Sequence, residues 1–221
     1  MNTREQMLRD IRQEVEMTRQ YLRKDALDER VMAAMGTVPR DAFVPEQLRH
    51  RAFDNGPLPI GHGQTISQPY IVALMTDLLE PEAGDTILEI GCGSGYQAAV
   101  LSRLVKQVHS LEIIPELAAA ATGRLESLGY RNVAVHCADG HDGWPAHAPY
   151  DGIIVTAAAP AVPPALAAQL RPGTRLVMPV GRPGGFQELM VLEKRADGGI
   201  DAREVLGVSF VPLTGRRCDA D

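Results

Sequence analysis

Residues 85–95 read Asp-Thr-Ile-Leu-Glu-Ile-Gly-Cys-Gly-Ser-Gly, an apolar run of strand length that ends on three glycines at alternate positions, Gly91, Gly93 and Gly95. Glycine tolerates positive φ and lacks a Cβ, so such a turn lets a ligand come close to the main chain. Beyond Tyr96 the apolar residues Ala98, Ala99, Leu101, Leu104 and Val105 recur at helical spacing, and the pattern predicts strand, glycine turn, helix. A glycine-rich loop can be read as a nucleotide-type cofactor site only in that order.

Two acidic residues refine the reading. Glu112, followed by Ile113, ends the next apolar run 17 residues beyond Gly95. A carboxylate at the tip of the second strand can accept hydrogen bonds from both ribose hydroxyls of an adenosine cofactor. Glu89 precedes the first glycine, where a dinucleotide fold would present a helix N-terminus to a pyrophosphate. An acid there repels phosphate but suits a sulfonium or an α-amino group. The pattern therefore favours S-adenosylmethionine over NAD; the plain alternative is a tight turn in an α/β core with one solvated glutamate. Asp139-Gly140 after the third strand could receive the adenine amino group, although Asp-Gly is also a favoured turn dipeptide.

The chain of 221 residues fits one α/β domain with additions. Its net charge of −6 argues against a general nucleic-acid binder, and the Arg216-Arg217 pair reads as solvated. Cys92, Cys137 and Cys218 form neither a disulfide framework nor a zinc spacing, so a reducing cytoplasm is expected. The six histidines suggest no metal site. The first 24 residues show no signal-peptide core. The most apolar segment, 153–170, is broken by Pro160, Pro163 and Pro164, so no membrane span is expected.

Periodicity predicts helix over residues 1–35 and again over 71–80. Between them, residues 37–70 carry Pro39, Pro45, Pro57, Pro59 and Pro69 with three glycines, and read as an ordered irregular segment. Strands are expected at 86–90, 107–111, 132–136, 151–155, 173–179, 187–193 and 205–211, and helices at 96–105, 115–127 and 162–170. Such alternation implies a largely parallel sheet with helices on both faces. Only Asp197-Gly198-Gly199 separates the last two strands, which reads as an antiparallel pair. Thr156–Pro160 should face the ligand from the end of the fourth strand; spacing alone assigns Thr156 no chemistry. His62, between two glycines, is either a base or a surface turn residue.

The runs Val38-Pro39-Arg40, Phe43-Val44-Pro45, Pro57-Leu58-Pro59-Ile60-Gly61 and Gly63-Gln64-Thr65-Ile66-Ser67-Gln68-Pro69 resemble the protein-L-isoaspartate O-methyltransferase family. So do Leu88-Glu89-Ile90-Gly91, Gly93 to Ala99, Gly143-Trp144-Pro145, Ala148 to Asp151, and Phe210-Val211-Pro212-Leu213. The similarity covers about residues 20–215. Cys92 stands where the family commonly has Thr or Ser.

The resemblance implies a Rossmann-like, doubly wound, mostly parallel α/β sheet of the class I methyltransferase type, with antiparallel C-terminal strands and N-terminal helical additions. Residues 1–221 would form one catalytic domain: a helical and loop region over 1–80, a cofactor-binding core over 81–215, and a tail. It implies S-adenosylmethionine-dependent methylation of the free carboxylate of L-isoaspartyl residues in damaged proteins, whose ester closes to a succinimide that can reopen as aspartate. The family's active-site serine matches Ser67. Its cofactor-contacting loop matches Gln64, Thr65 and Ile66, and Ser94, Glu112, Asp139 and Gly140 fall on its cofactor positions. A cytoplasmic monomer acting on isoaspartyl polypeptides, with no nucleic-acid, membrane or metal partner, is expected. The alternatives are a methyltransferase for a small molecule or another protein site on the same fold, a non-catalytic cofactor-binding module and, third, an NAD-dependent oxidoreductase.

Overall fold

The N-terminal helices form because one face of each is apolar. In α1 (Arg4–Leu22) Met7, Ile11 and Val15 repeat every fourth residue and are buried. The second helix, α2 (Glu29–Thr37), is N-capped by Asp28, whose carboxylate accepts from the Arg30 amide at 2.7 Å. Two short 3-10 turns follow at Arg40–Phe43 and Glu46–Arg51. The computed structural model describes residues 2–22, 24–182 and 184–215.

The proline-rich segment then makes a hairpin of β1 (Leu58–Gly61) and β2 (Gln64–Ile66). His62 and Gly63 occupy its turn with φ of 52° and 72°, the left-handed pair that a two-residue hairpin turn needs. His62 is thus an exposed turn residue. The prolines and glycines hid this short paired element in the sequence. Helix α3 (Pro69–Leu79) starts on proline and is buried on nearly every side. Its Asp77 carboxylate takes the Lys24 ammonium at 2.5 Å and the Asp28 amide at 2.7 Å, which ties the N-terminal region to the core.

The sheet follows: β3 (Thr86–Ile90), α4 (Tyr96–Leu101), β4 (Gln107–Glu112), α5 (Pro115–Ser127), β5 (Val133–Cys137), β6 (Tyr150–Val155), α6 (Pro164–Gln169), β7 (Leu170–Gly181), β8 (Gln187–Lys194) and β9 (Ile200–Val208). The strand order is β5-β4-β3-β6-β7-β8-β9. Pairs from β5 to β7 are parallel, whereas β7–β8 and β8–β9 are antiparallel. The chain leaves β3 toward β4 on one side and later returns to β6 on the other, so a switch point lies between β3 and β6, where such sheets bind ligands.

The last strand begins earlier than its apolar residues indicate. Asp201, Ala202, Arg203 and Glu204 are exposed on the sheet edge and are held extended by pairing with β8. Residues after Val208 leave the sheet instead: Val211 and Leu213 bond back to Ala158 through the Ala158 amide to Val211 carbonyl and the Leu213 amide to Ala158 carbonyl, both 2.8 Å. Cys92 is a buried free thiol, whereas Cys137 is disulfide-bonded. Cys218 and the Arg216-Arg217 pair lie outside the described residues.

One face of β4 and β5 carries an imidazole stack. The rings of His109 and His147 lie 4.0 Å apart, His109 Nδ1 and His136 Nε2 lie 3.2 Å apart, and Trp144 stacks on His136 at 4.5 Å. Burial first, then the neighbouring His147 and His136, push His109 down to about 4. The unfolded chain therefore takes up a proton near pH 6.5 that the folded chain refuses until about pH 4, so stability is full above about 6.5 and drains away as pH falls toward 4. His109→Phe, which keeps the stacking, should remove up to about 2 kcal/mol of the stability difference between pH 7.5 and pH 5. Urea unfolding at the two pH values checks this; an unchanged difference would refute it.

Candidate functional site

A cleft opens at the carboxyl ends of β3, β4, β5 and β6. Its floor is the glycine loop, with φ of 93° at Gly91, 54° at Gly93 and 87° at Gly95. The amides of Gly91 and Cys92 both donate to the Leu111 carbonyl at 2.9 Å, which fastens the loop to β4. On the other side Thr156 donates its hydroxyl to the Gly91 carbonyl at 2.7 Å, while its amide bonds the Ile90 carbonyl at 2.9 Å. A Cβ on Gly91 would sit 2.5 Å from the Thr156 hydroxyl, and one on Gly140 2.3 Å from Ile90 Cγ2. No larger side chain fits either place, and the cleft depends on both.

Glu112 stands at the tip of β4, nearly buried. One oxygen accepts from the Gly93 amide at 2.7 Å and the other from the Ile114 amide at 3.0 Å. The carboxylate has two oxygens with about four lone-pair directions, so it can hold the loop and still receive a ribose diol. Arg124 adds a brace through its bond to the Ser94 carbonyl, 2.8 Å. The Cys92 thiol is buried, which pushes it well up, so it fills space in the loop as an unreactive thiol.

The hairpin roofs this loop. A Cβ on Gly93 would lie 3.3 Å from Ile60 Cδ1, and Gln64 and Thr65 line the cleft from above. Gly91, Gly93, Glu112, Ile113 and Gly140 line it from below, joined by Thr156, Ala157 and the returning segment Val211–Thr214. Ile66, Ser67 and Ser94 line an adjoining recess with Gly91 and Gly93. Gly95 sits under the loop against Leu125 and serves as its turn. Asp139 accepts from the amide of His141 at 2.9 Å and stands just behind the lining residues Ala138 and Gly140.

Glu89 is placed differently from the other acidic candidates. It has no exposed surface and is not among the lining residues. Its carboxylate accepts from the Ser110 hydroxyl of the next strand. Burial first, then the charge of Glu112, raises it to about 8. It lies beneath the loop, outside the residues that line the cleft. A strand residue flanked by Leu88 and Ile90 alternates between faces with no signal in the sequence that separates cleft from core.

Beside the cleft runs a second, wider groove with a cavity volume of about 510 Å³. Ser67, Gln68 and Ile71 form one wall, and Phe186, Gln187 and Gly207–Val211 the other. Thr65, Thr156 and Val211 line both spaces and mark their junction. Phe186 is 75% exposed at the groove rim. Spacing did not reveal this second wall, because its residues come from the turn before β8 and the end of β9.

The glycine cradle and the Glu112 carboxylate fit an adenosine-type cofactor. The sequence profile described as protein-L-isoaspartate(D-aspartate) O-methyltransferase matches residues 12–218. The chain is 59% identical over 216 residues to the protein-L-isoaspartate O-methyltransferase 2 of Nitrosococcus oceani, covering 98% of each. It is 56% identical to the protein of the same name from a Polaromonas species, covering 96% of this chain and all of that one. A solved protein-L-isoaspartate O-methyltransferase superposes with a TM-score of 0.82 at 26% identity, over 96% of this chain and 66% of the other. A Plasmodium falciparum structure, titled a putative member in complex with S-adenosyl-L-homocysteine, shares the fold with a TM-score of 0.79 at 21% identity, over 97% and 99%.

Because Glu112 also holds one amide of the loop and one of the turn into α5, its removal should do two things. Glu112→Ala is expected to weaken S-adenosylmethionine binding by about 1–3 kcal/mol and to lower the melting temperature as well. Glu112→Gln keeps an acceptor for one amide and should fall between wild type and alanine on both scales. Titration calorimetry beside thermal melting checks this; full affinity in a folded Glu112→Ala enzyme would remove the ribose role.

Proposed function

The chain belongs to the protein-L-isoaspartate(D-aspartate) O-methyltransferase family, and from that premise we propose how its own residues divide the work. The reaction methylates the free carboxylate of L-isoaspartyl residues in damaged polypeptides, with S-adenosylmethionine as donor. The cofactor, when bound, supplies a methyl group on a positively charged sulfur.

In this reading Glu112 receives the ribose hydroxyls, with Ile113 beside it against the adenine and Asp139-Gly140 at the adenine edge. Gly91, Gly93 and Ser94 accommodate the methionine portion, and Gly95 turns the loop. Glu89 supports the loop from beneath rather than touching the cofactor. Gln64, Thr65 and Ile66 close over the top. Ser67 is the catalytic residue, orienting the acceptor by hydrogen bonding.

The observation that carries the proposal is the junction at Thr65 and Thr156, where the cofactor cleft meets a groove wide enough for a polypeptide. The acceptor carboxylate, with a pKa near ~4, is already ionised at pH 7. No base has to be created, and among the described residues no histidine lines either space. One carboxylate oxygen bonds to the methyl carbon as the carbon–sulfur bond breaks, and its electron pair leaves with sulfur. Alignment of the reacting atoms is what the chain must supply, and proximity of this kind is worth about 7–11 kcal/mol.

We further propose one catalytic unit over residues 1–221 that works as a monomer in the cytoplasm, where its charged cofactor is available. Its substrates would be polypeptides rather than nucleic acids or membranes. The net charge of −6 supports this, and among the described residues no helix is long and apolar enough to cross a membrane.

Three measurements follow. The purified protein should methylate an L-isoaspartyl peptide and leave the same peptide with ordinary L-aspartate unmodified; equal labelling of both, or of neither with cofactor bound, overturns the reading. Ser67→Ala should slow turnover about 10- to 1000-fold with little change in melting temperature, and a wild-type rate would move the acceptor site elsewhere. Phe186→Ala should raise KM for a peptide of ten or more residues by about 10-fold, the loss of one exposed aromatic contact. Its KM for S-adenosylmethionine should not move. Unchanged peptide KM would place the flanking chain outside this groove.

A further inference from the structure

Arg40 is the largest fully buried side chain of the molecule's described residues and has no exposed surface. No carboxylate pairs with it among the described residues. Its Nε donates to the Ala52 carbonyl at 2.8 Å and its Nη2 to the Ser67 carbonyl at 2.7 Å. The guanidinium carbon lies 4.8 Å from the centre of the Tyr96 ring, and Nη1 has no hydrogen-bond partner among the described residues. Burying an unpaired cation costs free energy, and a hydrophobe of similar volume often serves stability as well or better. Packing alone therefore does not account for this residue.

The three groups it touches are the informative part. Ala52 follows the second 3-10 turn, Ser67 leads from the hairpin into α3, and Tyr96 is the first residue of α4 after the glycine loop. Arg40 thus spans the acceptor side and the cofactor side of the site within one planar group. We infer that Arg40 is a positioning residue for methyl transfer, holding the Ser67 main chain at a fixed place relative to the glycine loop so that the Ser67 hydroxyl meets the acceptor in line. The inference rests on the methyltransferase reading above.

Lysine is the informative replacement because it keeps the charge while losing the planar fork, so it can reach one carbonyl but not both and cannot stack. Methionine removes the charge at similar size. The test is steady-state methylation of an isoaspartyl peptide by wild type, Arg40→Met, Arg40→Lys, Ser67→Ala and the Arg40→Met/Ser67→Ala double variant, with calorimetry for S-adenosylmethionine and thermal melting. Arg40→Met should lose about 10-fold or more in kcat, with cofactor affinity within about threefold and a lower melting temperature, since the Ala52 and Ser67 carbonyls lose their donor. Arg40→Lys should recover part of the rate. The double variant should be no slower than Ser67→Ala beyond a factor of about 2, since groups acting through one another do not add.

A wild-type kcat in folded Arg40→Met, or losses that multiply in the double variant, overturns the inference. Should Arg40→Met fail to fold, Arg40→Lys decides alone: a reduced kcat with unchanged cofactor affinity supports the role, and a wild-type kcat refutes it. Failure of the functional reading itself shows separately, as a wild-type enzyme inactive on the isoaspartyl peptide.

Discussion

The contact between Gly91 and Thr156 sets the geometry from which the rest of the site is built. Where β3 and β6 end, the Thr156 hydroxyl and amide hold the carbonyls of Gly91 and Ile90, and the space a Cβ would need at residue 91 is already taken. A positive φ there turns the chain away from the sheet. The loop then crosses to β4, where the Leu111 carbonyl takes two of its amides and Glu112 takes a third. Three strands are locked together at their tips, and the cleft is what remains between them.

Two carboxylates support this loop in different ways. Glu112, at the end of its strand, spends both oxygens on amides of the loop and of the turn leading into α5. Glu89, one strand over and wholly buried, is raised to about 8 by burial and by the charge of its neighbour, and so is mostly protonated at neutral pH. A neutral acid beneath the loop spares the site a second negative charge, and its bond with Ser110 ties β3 to β4 side by side. The same residue type at two strand ends thus yields one polar anchor facing the cleft and one uncharged brace behind it.

The core of this arrangement was legible in the sequence. The run 86–90 and the helix 115–127 emerge with the same limits in the structure, because Gly91 ends the strand and Pro115 starts the helix, whose Leu117, Ala118, Ala121 and Leu125 recur at helical spacing. Glu112 was legible from its position at the end of a strand. What escaped was set by tertiary pairing. The hairpin of β1 and β2 is too short and too rich in proline to show a period, and β9 is extended over polar residues only because β8 supplies partners. The face on which Glu89 lies depends on strand phase within a sheet buried on both sides, where apolar residues do not alternate. Arg40 reads as an ordinary charged residue next to a proline until Ser67 and Tyr96 are brought beside it.

The groove proposed for the acceptor shows why the fold extends past the parallel strands. An isoaspartyl and an aspartyl carboxylate carry the same charge and nearly the same pKa, so electrostatics cannot tell them apart, and shape has to. In the proposed reading shape is set by the two walls of the groove. One wall is the segment from Pro57 to Ile71, held from within by Arg40. The facing wall is made of Phe186 and residues 207–211, and buried Gln187 clamps it by accepting from the Phe210 amide at 2.7 Å and donating to the Phe210 carbonyl at 3.1 Å. That clamp sits at the start of β8, directly across from the end of β9. Without the two antiparallel strands the groove would have a single wall and nothing to fix its width. A misplacement of about 1 Å at a reacting centre can cost on the order of 100-fold in rate, which is why the proposed acceptor site needs both walls held in place by the bonds of Arg40 and Gln187.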